Sequence, residues 1–319
     1  MRTVRLLCLA ASAALCFSAV AQEQPASAPA APQVSPATAP KITLLDAGQA
    51  DGRRALRFKP VAGSRETMLM RMKLGMSISM GGRPMPKTDI PAQEITMAIA
   101  IASVENNGDI HYNFEFSGAK PLTDESTPPA IKSAMEEAMK KLVGFKGNAV
   151  VSNRGITISL AMQPGEKADA QTRQLADSMN QSLQQISAPV PEEEVGTGAK
   201  WLVEINPTVG GISQKILSTY TVVSMTDTTV KLKVDLVQSA GEQPLDAPGM
   251  PPGTKATVMS VAGTGSGAVE FSFSNVSPRS ATITAKAKIE TVVGAEGQQT
   301  AMSQEVTTDV SVTGSSGTK

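Results

Sequence analysis

Past its first segment the 319-residue chain has no cysteine, since Cys8 and Cys16 both fall in the apolar run Leu6 to Phe17, preceded by Arg2 and Arg5 and followed by Ala19-Val20-Ala21. That order of basic, apolar and small residues predicts a secretory signal over residues 1–21, cleaved before Gln22. The run is too short for a stable membrane anchor. Leu15 sits where lipoprotein processing wants a small residue, which argues against lipidation at Cys16. The exported chain then lacks disulfides, thiol nucleophiles and thiolate metal sites. Histidine is almost as scarce. His111 is the single imidazole and lies on the polar side of its strand pattern, so no Ser-His-Asp or Cys-His set, HExxH motif or His-rich metal spacing is legible. Aromatic residues make up 3% of the chain, too few for the two girdles of a lipid-facing barrel wall, which argues against an integral membrane protein. Loss of Arg2 and Arg5 leaves 27 basic against 29 acidic residues, a formal charge of −2 that points to neither nucleic acid nor an anionic membrane surface.

What the chain does have is one-sided alternation. Met68, Met70, Met72, Leu74, Met76, Ile78 and Met80 hold every second position, separated by Thr67, Leu69, Arg71, Lys73, Gly75, Ser77 and Ser79. A strand with one apolar and one mostly wet face must hide one side only. Ile95, Met97, Ile99 and Ile101 repeat the pattern, as do Ile110, Tyr112, Phe114 and Phe116. Asn106-Asn107-Gly108-Asp109 between those two runs predicts an antiparallel hairpin. A second, short pair is expected over Ala149 to Val151 and Ile156 to Met162, turning at Asn153-Arg154-Gly155. Further strands follow at Ile212 to Met225, Val230 to Leu236, Ala256 to Ala262, Val269 to Phe273, Ala281 to Val293 and Met302 to Val312. Gly263-Thr264-Gly265 reads as a tight connection and Gly241 to Gly253 as an irregular loop.

Two segments have helical spacing instead. Ile131, Ala134, Met135, Ala138, Met139 and Leu142 recur at threes and fours between Thr127, read as an N-cap, and Gly144. Ala168, Leu175, Met179, Leu183 and Ile186 mark a second amphipathic helix over about Lys167 to Ile186. Each helix has one stripe to bury, and the sheet has one face to cover.

The Pro/Ala-rich stretch 22–40 cannot bury enough surface to fold and reads as a tether, with 314–319 as a polar tail of the same kind. Residues 41–313 are expected to form one domain with a weak internal duplication. The fold class expected is α+β, mostly β: a large curved antiparallel sheet, a half-barrel, with two helices on its concave face.

Three segments carry a resemblance. "LRFKPVAGSRETMLMRMKLGM", "FKGNAVVSNRGITISLAM" and "PVPEEEVGTGAKW", with Gly63, Gly155, Pro191, Gly196, Gly198 and Trp201, resemble a family of secreted bacterial proteins of uncharacterised function. In pattern, though not in motif, the chain is similar to the periplasmic lipoprotein-carrier half-barrels. That likeness implies a lipophilic ligand in an apolar cavity, and the family brings no catalytic residues.

The candidate lining is therefore Met68, Met70, Met72, Leu74, Met76, Ile78, Met97, Ile99, Tyr112, Phe114, Met135, Met139 and Met179. Flexible, polarizable thioethers suit a surface that adapts to varied acyl chains, and the same residues also suit a filled core. A lipid or apolar small molecule, or an envelope protein partner, is the expected occupant, with no cofactor and no metal. Thioethers also select Cu(I), but His111 alternates to the opposite face from the methionines. Glu136-Glu137 and Glu192-Glu193-Glu194 read as solvated surface rather than a glycosidase pair. Gly263, Gly265 and Gly267 lack the following helix that a phosphate loop needs, and Trp201 reads as a core anchor.

Overall fold

The computed structural model describes residues 39–86, 88–125, 127–163, 173, 189–245, 255–295 and 298–317. The expected signal, most of the tether and the expected second helix with Met179 lie outside the described residues. The first half holds β1 (Lys41–Asp46), β2 (Arg65–Met80), β3 (Arg83–Pro84), β4 (Thr88–Asp89), β5 (Ala92–Val104), β6 (Ile110–Leu122), the helix α1 (Pro129–Lys140), β7 (Lys146–Val151) and β8 (Thr157–Gln163). The second holds β9 (Lys200–Ile205), β10 (Thr208–Val209), β11 (Ile212–Ser213), β12 (Lys215–Met225), β13 (Thr229–Ala240), β14 (Gln243–Pro244), β15 (Lys255–Ser272), β16 (Ser280–Ala295) and β17 (Gln298–Gly317).

Fifteen of these strands form one sheet whose main path runs β1-β9-β12-β13-β15-β16-β17-β2-β5-β6-β7-β8, with every pairing antiparallel. β2-β5-β6-β7-β8 and β9-β12-β13-β15-β16-β17 are two meanders, with β1 added at the β9 edge, and the two join along the 16-residue β2, where Met80 opposes Met302 and Arg65 opposes Gly317. The expected hairpins form: β5 pairs with β6 across a turn in which Gly108 takes φ +91°, and β7 with β8 across Gly155 at φ +74°. Gly108 is needed twice over, because a Cβ there would also strike the Asn153 side chain.

The path is not closed, since β1 and β8 are its two edges. Yet it cannot be flat. Nine interstrand steps of about 4.8 Å would set β7 and β9 roughly 43 Å apart. Instead, Trp201 in β9 donates its indole N–H to the Pro189 carbonyl at 3.1 Å, and the next residue, Val190, donates to Arg154 in the β7–β8 turn at 3.0 Å. Phe58 N–H reaches Asn153 O at 2.8 Å and Lys59 N–H reaches Phe273 O at 2.6 Å. Residues 47–64 and 189–199 thus cross one end of the sheet and tie its two halves together.

Beneath that crossing lies the main core. Trp201 is fully buried, stacked on Tyr220 with ring centroids 5.5 Å apart, and Phe58 meets the edge of Phe271 at 5.5 Å. A smaller cluster of Ile212, Leu245, Ala256, Val258, Val261 and Ile289 packs elsewhere on the sheet. The opposite face carries charge: Glu94 accepts from Arg71 at 2.7 Å and from Lys120 at 2.9 Å, and Lys288 meets Glu290 at 2.7 Å. A membrane-facing barrel wall presents apolar residues there instead.

Four expectations need correction. Gly263-Thr264-Gly265 is not a turn: the chain runs through it as one 18-residue strand, β15, whose Gly263, Gly265 and Gly267 share the inner face with Ala285 and Ala287 of β16. The stretch from Gly314 to Gly317 is not a free tail, because it lengthens β17 against Arg65 to Met68 of β2. The cap of α1 is Pro128 with no side-chain hydrogen bond, rather than Thr127, whose hydroxyl bonds Asp124. Among the described residues α1 is the one helix longer than a turn, and it does not cover the sheet. It rests on β6. Met139 and the following Leu142 are buried, while Ile131 is exposed.

Candidate functional site

Alternation assigns the inner face residue by residue. On β2 the even positions face inward: Met72 is buried, Met68, Met70, Leu74, Met76 and Ile78 are half-buried, and Met80 at the strand's end is exposed. Glu66, on the same face, is buried and accepts hydrogen bonds from the Val276 and Ser277 amides and the Ser277 hydroxyl, which pins the loop after β15 to β2. Across β5, Met97 opposes Met68 and Ile99 opposes Glu66; across β6, Phe114 opposes Ile99 and Tyr112 opposes Ile101. Ile99 and Phe114 are buried, and Tyr112 is half-buried. The candidate residues of β2, β5 and β6 therefore share one face.

The helical candidates are less united. Met139 joins the core, Met135 is half-buried on the exposed part of α1, and Met179 lies outside the described residues. His111 is on the outer face with its Nε2 2.7 Å from Glu105 Oε1, away from the thioethers. Among the described residues no three of His, Cys, Asp and Glu converge as a metal site.

Polar residues interrupt the apolar wall. Gln304 donates to Met76 Sδ at 2.9 Å, Gln238 bonds Gln214, and Gln93 and Thr308 are buried beside Met72 and Leu74, with Gln93 Oε1 and Thr308 Oγ1 unpartnered among the described residues. Sequence reading passed over these five. The signal was parity: Gln93 keeps step with Ile95 and Met97, and Gln304 and Thr308 with Val306 and Val310.

Burial shifts the titration of the inner face. Tyr220 is pushed up to about 12 by desolvation, and Tyr112 to about 12 by desolvation aided by the Glu66 charge. On the outer face, hydrogen bonds from Lys120 and Arg71 hold Glu94 below the usual carboxylate range.

A cleft of about 230 Å³ opens where residues 54–59 cross the sheet end, lined by Arg54, Ala55, Arg57, Lys59, Asp227 and Phe273. A shallow groove on the outer face, lined among others by Lys231, Lys233, Glu270 and Thr282, measures about 390 Å³.

No family model matches the chain, and no curated protein matches it. Among solved structures, the crystal structure of the outer membrane protease OmpT from Escherichia coli is similar over 82% of this chain and 99% of that one, at 9% identity and a TM-score of 0.25. A likeness that slight carries no argument about fold or activity. No described helix is long and apolar enough to cross a membrane.

Proposed function

We propose that this protein is exported to the periplasm or beyond and, without catalysing a reaction, holds a lipid or other apolar ligand against the inner face of its sheet. On this reading the sheet is a half-barrel, akin to the carrier pattern noted in the sequence. The observation that supports it most is the state of β2. Met68, Met70, Leu74, Met76 and Ile78 face the core side and yet remain half-buried, whereas a filled core would cover them. Thioethers on such a surface repack around varied chains at little cost, and the neighbouring buried glutamines set limits on where an acyl chain lies.

A second reading, a structural or protein-interaction module, draws on the edges. Leu45 on β1 and Ile158 on β8 are 57% and 55% exposed on strands with no partner on one side of the main path, the kind of surface that strand addition uses. Native mass spectrometry of protein purified from an envelope extract, with uptake of an environment-sensitive apolar dye, separates the two. Co-purifying lipid, and dye fluorescence that falls when Met70→Glu places a charge on the inner face, is the expected result. A clean apo mass with no dye uptake overturns the carrier reading.

A further inference from the structure

The cleft at the crossed end of the sheet has a charged lining that the apolar face does not explain. Three cations line it, Arg54, Arg57 and Lys59, against one anion, Asp227. Arg54 Nη1 spends one bond on Asp227 Oδ1 at 2.9 Å, and its guanidinium carbon sits 5.8 Å from the Phe273 ring centroid. Arg57 is anchored on neutral acceptors, the carbonyls of Leu56, Pro191 and Glu192 at 2.7, 3.1 and 2.7 Å, so these bonds hold its position without cancelling its charge. Burial and the neighbouring Arg154 hold that guanidinium below its usual value, although Glu192 and Glu193 pull the other way. The Lys59 ammonium has no hydrogen-bond or ion-pair partner among the described residues, while its amide is fixed on Phe273 O.

We propose that this cleft binds a phosphate monoester, its phosphate between Arg54 and Lys59 and its organic part against Phe273. Charge selects the class. The lining carries a surplus of two positive charges, and a phosphate monoester brings about −1.5 to −2 near neutral pH where a carboxylate brings one. The arginine fork and the lysine point charge are the two donors that phosphate recognition uses. This site is separate from the methionine face, and its failure leaves the carrier reading standing.

The test is titration of the full chain with inorganic phosphate, phenyl phosphate and phenol, followed by backbone amide resonances and by calorimetry. Saturable shifts at 54–59, 226–228 and 273 are expected with both phosphates and not with phenol. Phenyl phosphate is the tighter, and its affinity declines below about pH 6 as the ester loses its second charge. Lys59→Met breaks no side-chain bond described above, keeps the melting temperature and weakens phenyl phosphate about tenfold, the loss of one charge-assisted contact, while Lys231→Met on the outer groove changes nothing. Vesicles containing phosphatidic acid, run alongside, tell whether a lipid headgroup or a free ester is the source. Unmoved amides at millimolar phenyl phosphate, or equal affinity in folded Lys59→Met, overturns the proposal.

Discussion

Tyr220 is 7% exposed, stacked on Trp201, and its phenol ionises only near pH 12, against 10.0 for a free tyrosine. An unfolded chain gives up that proton first, so the stability held by the neutral phenol is complete below about pH 10 and is lost as pH rises through about 12. Urea midpoints measured across that window should fall steeply in the parent and less steeply in Tyr220→Phe. Glycine gives a second test at this scale. A Cβ on Gly267 would run into the Thr282 carbonyl and the Ile283 Cα of the next strand, whereas one on Gly118 would meet only the Thr96 side chain at an ordinary 3.5 Å. Gly267→Ala should cost about 1–3 kcal/mol by overpacking and Gly118→Ala within about 0.5 kcal/mol, both read by denaturant unfolding. Residue identity alone separated some of these roles. Trp201, following two glycines into an apolar strand, read as a core anchor and is one. Gly263, Gly265 and Gly267 read as turns, because glycine is commoner there than in a strand interior. What overrode that preference is a neighbour more than a dozen residues away: β16, whose Ala287 and Ala285 would crowd a Cβ on Gly263 or Gly265 and whose Thr282 carbonyl and Ile283 backbone leave no room for one on Gly267.

Strands declared themselves better than the helix did. The period of two along β2, β5, β6 and β17 survives in the structure because each strand meets a neighbour on both sides and solvent on one face, which is the condition that writes alternation into a sequence. Asn107-Gly108 fixed the β5–β6 hairpin locally, with the Asn107 side chain bonding Asp109 to hold the turn. In α1 the period of 3.6 is equally clear, yet full burial is confined to its last turn. Amphipathicity states that a helix has a side to hide and leaves open how much of it is hidden. Met139→Ala should therefore cost about 2–5 kcal/mol while Ile131→Ala stays within about 0.5 kcal/mol, and thermal melts of the two variants decide it. The connector 189–195 shows the converse. Its three glutamates are exposed as their charge implies, but Pro189, Val190, Pro191 and Val195 are buried and hydrogen-bonded across the sheet end, an outcome that only the curl of the sheet determines.

At the scale of the molecule, strand order was the part hidden from the sequence. Most neighbouring strands in the chain pair antiparallel, but the seam between the halves joins residues 65–80 to 302–317 and β1 joins β9, and no local signal names partners so distant. The inner polar residues share that origin: Gln304 and Thr308 face β2 only because the seam exists. Removing residues 298–319 uncovers the edges of β16 and β2 together, so the shortened chain should show no cooperative unfolding transition and should elute as aggregate in size-exclusion chromatography. Against this, cutting only 314–319 removes four pairs at one end of the seam and should leave a folded monomer with a lowered melting temperature.

The seam also dictates a timetable. A ribosome finishes β2 more than 200 residues before it begins β17, so for most of its synthesis the nascent chain carries seven greasy side chains on a strand with one whole edge unmated, while β5 and the short β3 and β4 supply the other. Until the last strand arrives, that bare edge is a template for pairing with another chain.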